Sequence, residues 1–193
     1  MTNRAQWAVV DVETSGTSPD HCRIISVAAL AVDDNATITD AVVTLLNPGV
    51  HPGPTNIHGI TSQMLAGQPQ FADIAVRLAA LLGGRTLVAH NAAFDYVFLA
   101  NEFRRTAVQC PVDAVMCTVE LSNRLNLPVD NHKLATLARH WRVLQTRPHD
   151  AFDDARVLTR ILTHSLEHAR ASGVPLPVRP PASLRPPVFS AAA

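Results

Sequence analysis

The chain has 193 residues, 47% of them apolar, and a formal net charge of +0. That is enough for one domain with a real core, and it excludes a disordered or fibrous composition. No apolar run approaches the roughly 18 residues needed to span a bilayer, and no leader-like apolar region precedes the first strand-like segment, so neither a membrane span nor a secretory signal is expected.

Residues 7–13 read as a buried strand carrying Asp11 and Glu13, broken by a Ser, Thr, Gly and Pro loop. Residues 23–32 and 37–46 read as two β-branched strands joined by a turn at Asp33, so they pair as a hairpin. Residues 47–54 are irregular. A short helix over 61–66, capped by Thr61 or Ser62, and a longer one over 71–82, ending at Gly83 and Gly84, follow. A short buried strand at 86–90 leads into a helix over 92–105. The spacing then predicts a last strand at 112–116, helices near 118–125 and 134–141, and a final helix from 151 to about 171. A meander followed by alternating strands and helices indicates an α/β domain with a mixed sheet over residues 1–172. From 173 to 193 the composition turns proline-rich, which reads as an extended or disordered tail or linker. Three cysteines, Cys22, Cys110 and Cys117, lack metal-ligand spacing and read as packed, reduced thiols of a cytoplasmic protein.

The neutral total hides an asymmetry. Residues 124–147 carry Arg124, Lys133, Arg139, Arg142 and Arg147 against Asp130 alone, while the first hundred residues are acid-rich. An acidic centre beside a basic flank suits a metal site facing phosphates, although on charge alone a solvated helix face is the simpler account.

The chemistry lies in the carboxylates. Asp11 and Glu13 are two apart on one strand and share a face, and two hard oxygen donors there suit Mg²⁺ or Mn²⁺. Asp95 falls in the first turn of its helix, where complementing the helix dipole is the ordinary explanation. His149-Asp150-Ala151-Phe152-Asp153-Asp154 opens the final helix with more acids than capping needs; Asp150 is the natural N-cap, and Asp153 points about 100° away from Asp154. Together these groups describe a two-metal phosphodiester site, with a histidine able to take a proton from water. His164-Ser-Leu-Glu167-His168 matches a metallopeptidase pattern, but no Asp, Glu, His or Cys follows it in the sequence to complete a zinc site, and it reads as a polar helix face.

Three segments in order, Asp11-Val-Glu13-Thr14-Ser-Gly16, His90-Asn91-Ala-Ala-Phe94-Asp95 and His149-x-Ala151-x-x-Asp154, resemble the DEDDh exonucleases, the family of the epsilon proofreading subunit of bacterial DNA polymerase III and of RNase T. The resemblance covers roughly residues 5–165. It implies an RNase H-like fold with a five-stranded mixed sheet flanked by helices. It implies Asp11, Glu13, Asp95 and Asp154 as ligands of two divalent cations, Mg²⁺ or Mn²⁺, and His149 as general base. Thr14 is expected near the 3′-terminal nucleotide, Asn91 either contacts that nucleotide or orients the site, and Ile57 and His58 line the pocket for its base; core packing for Ile57 and a loop hydrogen bond for His58 are the plainer alternatives. The implied activity is 3′→5′ hydrolysis of DNA at single-stranded or frayed 3′ ends, releasing nucleoside 5′-monophosphates in proofreading or repair. RNA trimming within the same superfamily and a non-catalytic polymerase-associated module are the alternatives. Family precedent allows either a polymerase or other replication or repair factor as partner, or a homo-oligomer. The third segment departs from the pattern in its extra acids, Asp150 and Asp153, read here as supporting or surface groups. His132 is read as a helix start or a substrate contact.

Overall fold

The computed structural model describes residues 6–33 and 35–184. Its centre is a mixed six-stranded sheet in the order β3-β2-β1-β4-β5-β6. Strands β1 (Trp7–Thr14), β2 (Ile24–Val32) and β3 (Ile38–Leu45) form an antiparallel meander, and β4 (Thr86–Ala89) and β5 (Ala114–Cys117) continue it in parallel with β1. Helices α1 (Thr55–His58), α2 (Ser62–Leu65) and α3 (Phe71–Leu82) separate β3 from β4. Helix α4 (Ala92–Arg104) separates β4 from β5, and α5 (Thr118–Arg124), α6 (Leu134–His140) and α7 (Ala151–Ser172) follow.

The period of two along β1 sorts its side chains into two layers. Ala8, Val10 and Val12 pack with Phe71, Leu78, Phe98 and Phe103 of α3 and α4. Trp7 and Val9 pack with Leu158, Ile161 and Leu162 of α7. Asp11 and Glu13 continue the odd-numbered series, which directs them to the face that α7 covers. Because helices cover both faces, β2 is buried along nearly its whole length and reads as a continuous apolar run.

The sequence led us to expect five strands; the described residues form six. Val178–Arg179 form β6, antiparallel to β5, inside the segment read as a tail. Val174 and Leu176 pack against the α7-side core, Arg124 donates to the Pro175 carbonyl at 3.2 Å, and Arg179 pairs with Glu120. Tertiary contact imposes this pairing on a composition that carries no strand signal of its own. Residues 185–193 lie outside the described residues. The four-residue α1 was also unexpected; it is one turn, closed by Gly59 at φ 70°.

Two sequence features find structural employment. His164 stacks on Trp141 with ring centroids 5.4 Å apart, and His168 meets the same indole edge-on, so the metallopeptidase-like pattern packs α7 against the end of α6. In the basic stretch, Arg124 pairs with Glu120 and Arg147 with Asp150, which ties part of that charge into local ion pairs. Among the described residues, no helix is long and apolar enough to cross a membrane.

Candidate active site

The site forms where β1 outruns its parallel neighbour. The β1–β4 ladder ends at Val9↔Val88, while β1 continues to Thr14 against β2, with a register shift after Glu13. Asp11 and Glu13 therefore stand on a strand end that β4 does not flank. The Val12 backbone N–H is taken up by the Asp95 carboxylate, which reaches over from the first turn of α4 and is 3% exposed. Asp154 arrives from the first turn of α7, on the same face of the sheet as Asp11 and Glu13.

Burial and mutual repulsion show in the proton affinities of these acids. Burial raises Asp11 well above the usual carboxylate range, and the charges of Asp95, Glu13, Asp154 and Asp150 add to it. Glu13 is pushed up to about 8, first by burial and then by Asp154, Asp95 and Asp150. Burial also drives Asp95 up to about 8 against the backbone N–H groups it accepts from. Asp154 is raised by burial, opposed by hydrogen bonds from Gln145 and from the His149 backbone. Among the described residues, no lysine or arginine forms an ion pair with any of the four. Buried acids without a cationic partner are costly unless a metal ion supplies the positive charge, and an all-oxygen set fits a hard divalent cation.

His149 lies in the loop before α7 with φ 63°, a left-handed conformation that histidine adopts more readily than most residues. Its backbone N–H donates to Asp154 Oδ2 at 3.0 Å. One ring nitrogen of His149 and one carboxylate oxygen each of Glu13 and Asp154 lie within 4.8 Å of one another. The imidazole thus sits beside the acid cluster, close enough to serve either a bound water or a cation.

A second layer holds this arrangement, and the sequence revealed only part of it. Gln145 Nε2 donates to Asp154 Oδ1 at 2.7 Å. Asp153, read as a supporting or surface group, is 3% exposed. Its carboxylate accepts from the backbone N–H groups of Thr146 and Arg147, both at 2.8 Å, from the Thr146 hydroxyl at 3.0 Å and from the Arg156 guanidinium at 2.6 Å. Burial alone would raise Asp153, but these donors win and hold it well below the usual carboxylate range. The loop from Gln145 to His149 is in effect wound around Asp153, while Asp150 caps α7 by accepting from the Asp153 N–H at 2.9 Å. The extra acid in the third segment was the signal for Asp153. Nothing in the sequence singled out Gln145, nine positions before its partner in an irregular loop.

The residues expected around the terminal nucleotide lie at the end of β1, in α1 and at the start of α4. The Thr14 hydroxyl donates to the Gly16 carbonyl at 2.7 Å and shapes the loop after β1. Gly53, at φ 84°, packs on the same loop so closely that a Cβ would lie 2.2 Å from the Ser15 carbonyl oxygen, and this contact brings α1 to the site. Ile57 is 43% exposed, which does not fit core packing. His58 is half-buried, and its Nδ1 accepts from the Ile60 N–H at 3.0 Å, the loop hydrogen bond that was the plainer alternative for it. Asn91 is left-handed at φ 70°, exposed, and makes no side-chain cap bond to α4. His132 contacts Ser122 Oγ at 2.9 Å, and its carbonyl accepts from half-buried His90, whose imidazole is pushed down to about 4 by loss of solvent. Both histidines brace the loop entering α6.

A mixed sheet with an antiparallel meander, parallel strands beyond it, helices on both faces and acids gathered at one end defines an RNase H-like nuclease domain. Residues 8–162 match the model of the RNase_T exonuclease family, and the chain belongs to that family. It is 33% identical over 171 residues to the 3′-5′ exonuclease DinG of Bacillus subtilis, covering 87% of this chain and 18% of that protein. It is also 33% identical over 169 residues to the PolC-type DNA polymerase III of Halalkalibacterium halodurans, covering 86% of this chain and 12% of the polymerase. The chain thus spans less than a fifth of the length of either relative. Among solved structures, the nuclease domain of 3′hExo, a DEDDh family member bound to rAMP, superposes with a TM-score of 0.73 at 15% identity, covering 91% of this chain and 97% of that one. Escherichia coli exonuclease I in complex with a dT13 oligonucleotide superposes at 0.72 and 20% identity, covering 86% and 42% respectively. The fold and family are those of a DEDDh exonuclease domain.

Proposed function

We propose that this domain removes nucleotides from the 3′ end of DNA, releasing nucleoside 5′-monophosphates, with two divalent cations, Mg²⁺ or Mn²⁺, held by Asp11, Glu13, Asp95 and Asp154. The observation that carries the reading is the convergence of four acids on one strand end, unpaired with any lysine or arginine among the described residues, with His149 beside them. Bound cations would neutralise the scissile phosphate and lower the pKa of the attacking water. The protein's own part is to hold that geometry and to move a proton. His149 takes the proton from water, and its backbone N–H and Gln145 fix Asp154. Thr14 and Asn91 meet the terminal nucleotide, with Ile57 and His58 against its base. Residues 1–172 form the exonuclease unit, which serves in the cytoplasm beside a DNA polymerase or another replication or repair factor.

The names of the bacterial relatives, a DNA polymerase and a 3′-5′ exonuclease, favour DNA. The likeness to an rAMP-bound nuclease keeps RNA trimming as the second reading. Matched 3′-labelled DNA and RNA strands, incubated with Mn²⁺ and again with EDTA, test both readings. Faster release from DNA, abolished by EDTA, is expected. Preference for RNA replaces the DNA assignment, and activity that survives chelation rejects the metal site.

A further inference from the structure

Glu102 stands in the last turn of α4 and is 1% exposed. A carboxylate there gains nothing from the helix, whose C-terminal end disfavours negative charge. What holds it is Arg23, just before β2. Arg23 Nε donates to Oε1 at 2.6 Å and Nη2 to Oε2 at 2.8 Å, a two-point grip that fixes direction as well as distance. The Ile24 backbone N–H donates to the same Oε1 at 3.3 Å. Ile24 lies opposite Thr14, and the β1–β2 ladder shifts register immediately before that pair. Pairing is disrupted at such a shift, and Glu102 supplies a tie where the ladder is weakest. Apolar side chains in place of a buried ion pair often hold a fold as well or better, so stability alone does not account for this one.

The contacts continue toward the site. The Arg23 carbonyl accepts from the Ser15 N–H at 2.9 Å, and the Arg23 N–H donates to Ser15 Oγ at 2.9 Å. The Ser15 carbonyl in turn is the surface on which Gly53 rests, just before α1. Asp95, about two turns earlier on α4 and so on the same face, bonds the Val12 N–H, which ties α4 to β1 at one end and to β2 at the other. From this chain of contacts we propose that Glu102 is a positioning residue: through Arg23 it sets where Thr14 and α1 stand, and so how closely the 3′-terminal nucleotide is held. The proposal rests on the nuclease reading above, in which Thr14, Ile57 and His58 meet that nucleotide. The acid cluster has separate support. Asp11 and Glu13 precede the register shift, and Asp154 is fixed by Gln145 and the His149 N–H. Loss of the grip therefore weakens nucleotide binding and spares metal binding and proton transfer.

The test uses the double variant Arg23→Met/Glu102→Gln, which removes both charges of the pair and keeps an acceptor for the Ile24 N–H. Urea denaturation reads its stability, expected close to that of the wild type. Calorimetry with Mn²⁺ present gives the Kd for thymidine 5′-monophosphate, and cleavage of a single-stranded thymidine oligonucleotide gives kcat and KM. KM and Kd are expected to rise together about tenfold, the scale of one lost hydrogen bond to the nucleotide, with kcat and Mn²⁺ affinity unchanged. Arg23→Lys, which keeps the charge without the two-point grip, should show a smaller rise of the same kind. Wild-type KM and Kd in the folded double variant overturn the proposal and leave the pair as a contact for folding alone. A fall in kcat together with Mn²⁺ affinity also overturns it, because the pair then governs Asp95 rather than α1. If the double variant unfolds, Arg23→Lys decides by the same split of KM from kcat. Wild-type protein that binds Mn²⁺ and cleaves no oligonucleotide overturns the nuclease reading and the proposal with it.

Discussion

At the level of single residues, each proposed ligand had an ordinary explanation in the sequence, and only their meeting gives them another. Asp95 complements the dipole of α4 and also satisfies Val12; Asp154 sits in a first turn that Asp150 already caps. Replacing Asp11 or Asp154 by Asn should abolish turnover together with metal binding, measured by Mn²⁺ titration calorimetry. Replacing His149 by Ala should lower kcat by roughly 10²–10⁴-fold, the scale of a lost general base, with Mn²⁺ affinity retained. A matching loss of affinity would make the imidazole, which lies within reach of Glu13 and Asp154, a ligand instead. Asp153 supplies a separate prediction. Asp153→Asn keeps the shape but offers an amide to Thr146 and Arg147 where a carboxylate oxygen accepted their N–H groups. It should cost about 1–3 kcal/mol of stability in urea denaturation, and should lower kcat more than it raises KM, because the loop it organises carries His149 rather than the bound strand.

At the level of elements, the regular pieces were legible and the exceptional ones were not. Strands β1, β2 and β3 and helices α3, α4 and α7 announce themselves by period, by Gly83 and Gly84 past α3 and by the Asp150 cap. Alternation alone put Asp11 and Glu13 on one face. What escaped the sequence was shorter than its own signal. Helix α1 is one turn held by the Gly53–Ser15 contact, and β6 is two residues made into a strand by the edge of β5. The loop from Gln145 to His149 has no periodicity to read, since its conformation is dictated by hydrogen bonds to Asp153, which lies further along the chain. The candidate site was accordingly legible in its acids and illegible in the scaffold that aims them. Gln145 is the clearest case, a glutamine in a surface loop whose importance lies wholly in where Asp154 ends up.

At the level of the whole molecule, the acid cluster sets a relation between pH, metal and stability. Glu13 and Asp95 bind protons up to about 8 in the folded chain, whereas in the unfolded chain such groups ionise near 4. Between those values the folded state holds more protons than the unfolded one, so metal-free stability must fall as pH rises through that window and is greatest at its acid end. Thermal unfolding in EDTA should show Tm decreasing from about pH 5 to about pH 8. Mn²⁺, bound to the folded state as proposed, should recover the loss at the alkaline end. Asp95→Asn should flatten the metal-free profile, and a profile that stays as steep would mean that other groups set it.

The segment after α7 carries a consequence for anyone handling the domain in isolation. The family match ends at residue 162, and composition suggests trimming the proline-rich stretch that follows. Yet Val178 and Arg179 occupy the free side of β5, and Val174 and Leu176 lie over apolar surface. A chain cut before residue 174 would bare a row of unpaired amides and carbonyls on β5 in addition to those on β3, and so offer neighbouring molecules two templates for strand pairing. Solubility, rather than catalysis, is where such a truncation would first be felt.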